Sequence, residues 1–175
     1  NYHREQGDIS MVLAAIIALL AAADLIVKEW IERQKPDSFP RPVAKTGERL
    51  WLYRNHNGGF PFGFMEKHGE LVRGVPLAVI SCLSGFLLCL MQNRGHKGQK
   101  AGLVLVLAGG ISNLYDRCVR RYVVDYANLR FGFLKKVVFN LGDLFVLAGT
   151  VLLMILQLPE TGRGKKKMPQ KSRRC

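Results

Sequence analysis

Residues 9–27 form nineteen consecutive positions with a single charge, Asp24. An amphipathic surface helix needs a polar face, and this run has none. It is long enough to cross a hydrocarbon core about 30 Å thick, which takes roughly 17–25 helical residues. Three further apolar blocks follow, at 74–91, 101–114 and 144–156. The second spans directly, and the last two span if their polar ends are included, over 99–116 and 140–158. The competing reading, a soluble bundle with two long core helices, requires more charges than these windows hold. The first block runs into Lys28, Glu29 and Trp30 with no small-residue cleavage site, so it reads as a retained helix rather than a cleaved leader. The expectation is an all-α membrane protein, one integral domain over 1–175. Its transmembrane helices lie at about 9–30, 71–91, 99–116 and 140–158. An extracytoplasmic loop covers 31–70 and a basic cytoplasmic tail 159–175.

Charge then sets partners and orientation. The 175 residues carry a net charge of +13, which in a soluble chain would suggest nucleic acid. Here the basic residues lie outside the apolar blocks, with no aromatic-basic platform, so membrane lipids are the expected partner and nucleic acid is not. Arg163, Lys165, Lys166, Lys167, Lys171, Arg173 and Arg174 crowd the tail, and Arg94, Lys97 and Lys100 the turn between helices two and three. The positive-inside rule puts that side, with both termini, in the cytoplasm. Arg117, Arg120, Arg121, Arg130, Lys135 and Lys136 then face outside, where an anionic lipid substrate would give them a use. Cys82 and Cys89, seven apart in one helix, read as packing residues, and no disulfide framework is indicated.

The first connection holds Pro36, Pro40, Pro42, Gly58, Gly59 and Pro61, which argue against a long helix. Residues 49–64 alternate weakly and are aromatic at Trp51, Tyr53, Phe60, Phe62 and Phe64. They read as short strands at the membrane surface, or as an irregular loop with interfacial aromatics.

The ionisable groups gather at one depth. At about 1.5 Å per residue, Asp24 lies roughly 22 Å along its helix from Ile9. Asn113, Asp116 and Arg117 end the third helix on that side, and Asn140 and Asp143 begin the fourth there. Asp125 sits between them. Ionisable residues in a membrane segment are costly and mark functional sites by default. Plain structural roles also exist: Asp24 and Lys28 as an i,i+4 ion pair, Asp116 as a helix end, and Asn140 as a cap with Asp143 in the first turn. Asp125, after two valines, has no obvious one.

Neither G-x-S-x-G nor H-E-x-x-H occurs, and His3, His56, His68 and His96 are scattered, so neither a serine triad nor a metal or other cofactor is expected. The carboxylates remain. Two of them sharing a proton divide the work of a general base and a general acid, which is aspartic peptide hydrolysis.

Five segments in order resemble lipoprotein signal peptidase (signal peptidase II). They are 24–28 (DLIVK) for the family's D-x-x-x-K, 54–60 (RNHNGGF) for N-x-G-A-A-F, 108–117 (AGGISNLYDR), 122–126 (YVVDY) and 139–143 (FNLGD) for F-N-x-A-D. The resemblance covers most of the chain. It implies cleavage of bacterial prolipoproteins before a diacylglyceryl-modified cysteine, in the cytoplasmic (inner) membrane near its outer face, and inhibition by globomycin-type compounds. It implies that Asp125 and Asp143 are the catalytic pair, with Asp116, Asp24, Lys28, Asn55, Asn113, Arg117 and Asn140 in support or substrate binding. A surface β-cradle over 31–73, a periplasmic helix over 126–136 and a monomeric state are also expected. Three departures stand out: Asn57, Gly58 and Gly59 for G-A-A, Ser112 for glycine, and Gly142 for alanine. Two other readings compete. One is a non-catalytic lipopeptide-binding protein on the same scaffold. The other is a small transporter or proton relay, which would spread its carboxylates through the bilayer depth.

Overall fold

The computed structural model describes residues 2–59, 67–92 and 95–157. Four helices and a small sheet alternate: α1 (Tyr2–Glu32), β1 (Arg41–Pro42), β2 (Leu50–Asn57), α2 (Gly69–Met91), α3 (Lys97–Val119), β3 (Val123–Leu129), β4 (Val138–Phe139) and α4 (Leu141–Gln157). Among the described residues, three helices are long and apolar enough to cross a membrane, over Gly7–Glu32, Gly69–Met91 and Lys97–Val119. The fourth, α4, has 17 residues. The basic tail, Arg94, Phe60, Phe62 and Phe64 fall outside the described residues.

The helix α3 is the central one. In its apolar window 44% of residues are buried, against 6% for α2 and 11% for α1. The outer helices therefore turn most of their apolar surface away from the protein, as at Leu19, Leu77 and Leu88. Cys82 and Cys89 are exposed on α2, so they do not pack the bundle interior as expected. The interior between helices is built on Leu87, Leu103, Val104 and Leu107, with Leu13, Ile17 and Leu83 against them.

Small residues set the contact between α3 and α4. A Cβ on Gly109 would stand 2.1 Å from the Gly142 carbonyl oxygen, and one on Gly149 would stand 2.5 Å from the Gly102 carbonyl oxygen. The pairs Gly102/Gly109 and Gly142/Gly149 repeat at a seven-residue spacing, so both contacts fall on one seam. Backbone meets backbone there, as membrane helices use small residues to allow. Gly109→Ala is expected to part the helices and lower the melting temperature of the purified protein, at a cost of about 1–3 kcal/mol. An unchanged melting temperature would show that the seam is not close-packed.

The sheet is antiparallel in the order β1-β2-β3-β4. Its inner strand β3 differs from expectation. Residues 126–136 were expected to form a short helix; instead β3 runs through Leu129, and only Gly132–Lys136 makes a 3₁₀ turn. The cause is pairing with β2, far away in sequence, combined with the β-forming character of Val123, Val124 and Tyr126. Asn128, almost fully buried, latches the 3₁₀ turn with its amide nitrogen, whose two hydrogens are shared among the carbonyls of Leu134 (3.2 Å), Lys135 (3.0 Å) and Val137 (2.8 Å).

Two local devices aim β3. The helix α3 ends with the N–H groups of Arg120 and Arg121 both on the Asp116 carbonyl, and Arg121 takes a positive φ of 72° to turn the chain back. The register then shifts between Leu52↔Ala127 and Asn55↔Asp125, which places one extra residue on β2. Without that bulge Arg54 would stand opposite Asp125. With it, Asn55 does, and Arg54 reaches back to Glu32 at 3.1 and 3.2 Å.

Candidate active site

The deepest part of the site begins one helical turn of α1 apart, at Asp24 and Lys28. Both are fully buried. The Lys28 ammonium lies 2.7 Å from Asp24 Oδ2 and 3.1 Å from Asp116 Oδ2. It also donates to Asn113 Oδ1 at 2.8 Å and Ser112 Oγ at 3.2 Å. Asp116 is paired a second time, with Arg120. Two carboxylates thus meet two cations, and every charge has hydrogen-bonded partners, the condition under which buried ions are tolerated. The ion-pair reading of Asp24 and Lys28 is therefore satisfied. Asp116 does more than end a helix, since its Oδ2 also accepts the buried Val124 N–H at 3.2 Å, one residue before Asp125.

From this base the network climbs to two carboxylates. Lysine only donates, so Asn113 must turn its oxygen to Lys28 and its NH₂ the other way. That NH₂ donates to Asp143 Oδ1 at 2.8 Å. Asn140 and Asp143 cap the start of α4 reciprocally. The Asn140 N–H donates to Asp143 Oδ2 at 3.1 Å, and the Asp143 N–H donates to Asn140 Oδ1 at 2.9 Å. With its oxygen so committed, Asn140 points Nδ2 at Asp125 Oδ1, 2.8 Å away. One asparagine therefore holds both carboxylates. Among the described residues, the second oxygen of Asp125 receives one long contact, from Asn57 Nδ2 at 3.4 Å.

Burial first, and the neighbouring Asp143 second, push the Asp125 carboxyl up to about 6. Tyr126 closes the arrangement from below: its hydroxyl donates to Asp24 Oδ1 at 3.1 Å and accepts the Leu141 N–H at 3.0 Å. Burial and the Asp24 charge raise the Tyr126 phenol further above its ordinary value, so it stays a donor.

Above the pair opens a cavity of about 820 Å³, lined by Asn55, Asn57, Asn113, Arg117, Asp125, Lys136, Asp143 and, along α4, Val146, Leu147 and Thr150. Its wall is polar at the carboxylates and apolar down the helix. Of the residues singled out in the sequence, Asn55, Asn113, Arg117, Asp125 and Asp143 line this space, and Asn140 bridges beneath it. Asp24, Lys28 and Asp116 do not line it and act through others. Arg117 donates Nη2 to the Gly59 carbonyl at 3.1 Å, tying α3 to the end of β2. Sequence reasoning missed Tyr126, and it noticed Asn57 and Ser112 only as departures from a motif. Ser112 is marked in the sequence only by standing where the motif has glycine, and Tyr126 directly follows Asp125 within residues 122–126.

Four helices around a buried carboxylate network, opening beside a small surface sheet, define a membrane enzyme of bundle-and-cradle type. Two solved structures of bacterial membrane enzymes share the fold. One superposes with a TM-score of 0.73 at 20% identity, covering 91% of this chain and 94% of its own. The other has a TM-score of 0.71 at 19% identity, covering 86% and 94%. In sequence, residues 16–158 match the family model of signal peptidase (SPase) II. The lipoprotein signal peptidase of Clostridioides difficile (strain 630) is 30% identical over 148 residues, covering 85% of this chain and 95% of the relative. That of Xylella fastidiosa (strain M12) is 30% identical over 154 residues, covering 87% and 89%. The chain belongs to the signal peptidase II family of membrane peptidases.

Proposed function

We propose that the chain is an intramembrane aspartic endopeptidase that removes signal peptides from bacterial prolipoproteins, cutting before the diacylglyceryl-modified cysteine. The observation that carries this reading is the shared grip of Asn140 on Asp125 and Asp143 at the floor of the cavity.

Hydrogen-bond polarity divides the roles. Both oxygens of Asp143 accept N–H bonds, the pattern of an ionised carboxylate. Asp125 Oδ2 has one long contact among the described residues, from Asn57, which suits a carboxylic acid with a proton to give. Asp143 takes a proton from a water as its oxygen attacks the scissile carbonyl carbon, and Asp125 gives its proton to the carbonyl oxygen. Collapse of the tetrahedral intermediate breaks the C–N bond, with the Asp143 proton passing to the leaving amine. The carbonyl-derived proton returns to Asp125, so both carboxyls end as they began. Asn55, Asn57 and Arg117 line the space where the substrate backbone would lie, and Val146, Leu147 and Thr150 face its apolar part. No cofactor takes part.

The topology belongs to the same proposal. The 17 residues of α4 act as a fourth span, about 26 Å long. Both termini then lie in the cytoplasm, in the inner membrane. The pair stands near the outer face, Arg117 and Lys136 lie at the lipid headgroups, and the working unit is a monomer open to globomycin-type inhibitors.

Purified protein incubated with a lipid-modified precursor is expected to release the signal peptide and leave the modified cysteine as the new N-terminus, read by mass spectrometry. A protein that binds globomycin yet cuts no lipoprotein precursor would instead be a lipopeptide-binding relative. The pH dependence follows from Asp125. It must be protonated to act, and its carboxyl is raised to about 6, so kcat/KM is expected to fall as pH rises through that value. A profile flat from pH 5 to 8 would contradict the assignment.

A further inference from the structure

One buried group takes no part in the proton transfers of Asp125 and Asp143. Ser112 has no exposed surface. Its Oγ accepts from Lys28 Nζ at 3.2 Å. An ammonium cannot accept, so the hydroxyl hydrogen goes the other way, to Asp24 Oδ2 at 2.6 Å. That oxygen also lies 2.7 Å from Lys28 Nζ. Facing it across the helix seam is Gly142. A Cβ there would stand 2.8 Å from Asp24 Oδ2, 3.0 Å from Asn140 Oδ1 and 3.2 Å from the Gly109 carbonyl oxygen. The Asp24 carboxylate thus fills the room that a side chain at 142 would take, and Ser112 is one of the groups that hold it there.

We propose that Ser112 and Gly142 are one coupled positioning device, in which the Ser112 hydroxyl parks the Asp24 carboxylate in the space that the missing Gly142 side chain leaves open. Through Asp24 the pair sets where Lys28 stands, and through Lys28 the orientation of Asn113 under Asp143. Neither residue touches the reacting atoms. The inference rests on reading Asp125 and Asp143 as the working carboxylates, but its geometric half stands without it.

The consequence is non-additivity. Gly142→Ala alone drives a methyl against Asp24 Oδ2, which Ser112 and Lys28 prevent from retreating, and against the Asn140 oxygen that holds the Asp143 N–H. Ser112→Gly removes one holder and empties the volume behind the carboxylate. The test is a cycle of wild type, S112G, G142A and S112G/G142A, each the full chain purified in detergent. Melting temperature is read without substrate, and kcat and KM are read with a lipid-modified precursor.

Gly142→Ala is expected to lower both melting temperature and kcat, the latter about tenfold with KM within about twofold, because the loss is in orientation rather than in binding. The double variant is expected to melt higher and turn over faster than G142A. If G142A does not fold, a folded double variant supports the coupling, and a double variant that also fails overturns it. Additive effects on both melting temperature and kcat overturn it too. Coupling in melting temperature, with no cleavage by wild type, would leave the device standing and sink the peptidase mechanism. Cleavage by wild type with additive effects would do the reverse.

Discussion

Asp143→Asn is expected to abolish cleavage of a lipid-modified precursor, with a loss on the order of 10³-fold or more, as for other groups that move the proton in the chemical step. The substitution is close to isosteric, and an asparagine oxygen can still accept from Asn113 Nδ2 or from the Asn140 N–H. The fold should survive, so lost activity cannot be assigned to unfolding. What the variant lacks is a base. Asp125→Asn should lose cleavage equally and behave differently in stability. In the fold the Asp125 carboxyl is raised from 3.8 to about 6. Below pH 3.8 the acid is neutral folded or unfolded, and as pH rises through about 6 the fold must carry a charge that burial disfavours. Stability is therefore lost across that window, by roughly 2–3 kcal/mol at neutral pH. Asparagine carries no such charge, so Asp125→Asn should melt higher than wild type at pH 7.5 while cutting nothing. Full cleavage by either variant would end the two-carboxylate mechanism.

The second large effect is expected at Lys28→Met. Methionine is similar in length and apolar, and the position is fully buried, so simple packing would predict tolerance. Electrostatics predicts the reverse. Removing the ammonium leaves Asp24 with Ser112 and Tyr126 as its remaining donors and Asp116 with Arg120 and one backbone N–H. Breaking a buried pair from one side costs about 3–5 kcal/mol. That is a large share of the 5–15 kcal/mol typical of a whole domain. The variant should be recovered in low yield, and any folded fraction should be inactive because Asn113 loses the donor that fixes its amide. Adding Asp24→Asn should restore part of the yield by removing one uncompensated charge, but not the activity. Wild-type melting behaviour in Lys28→Met would show that the cation is not what holds the network.

The membrane character of the chain was legible because hydropathy is local: a run such as residues 9–27 declares itself without reference to the rest of the molecule. The common depth of Asp24, Asn113, Asp116, Asn140 and Asp143 followed from helix rise alone. Which carboxylates face the cavity did not. Asp116 and Asp125 are nine residues apart and equally polar, and only motif resemblance distinguished them before the structure set one against Lys28 and the other over the cavity. The strand β3 escaped for a different reason. Its seven residues are too few to show a reliable period, and its partner β2 lies across two whole helices, α2 and α3, in sequence, so the pairing that stabilises it is invisible locally. The bulge that puts Asn55 rather than Arg54 opposite Asp125 is a property of two strands together and exists in neither alone. The departures at 57, 112 and 142 looked like drift in the sequence. In space all three touch the carboxylate network.

The glycine seam between α3 and α4 bears on how such a protein diverges. Asn113 lies one helical turn beyond Gly109, and Asp143 directly follows Gly142. The two residues that must meet are thus gauged from a contact made of carbonyl oxygens and α-carbons. Side-chain volume away from the seam can drift without changing that gauge, because its closest contacts at Gly109 and Gly149 are to main-chain oxygens, with Val106, Val146 and Leu153 packed beside them. Lipid-facing positions on α1 and α2 are especially free to wander, since they need only remain apolar. A chain built this way can part from its relatives at about seven positions in ten, as here at 30% identity, and still inherit one fixed main-chain dimension at its working centre.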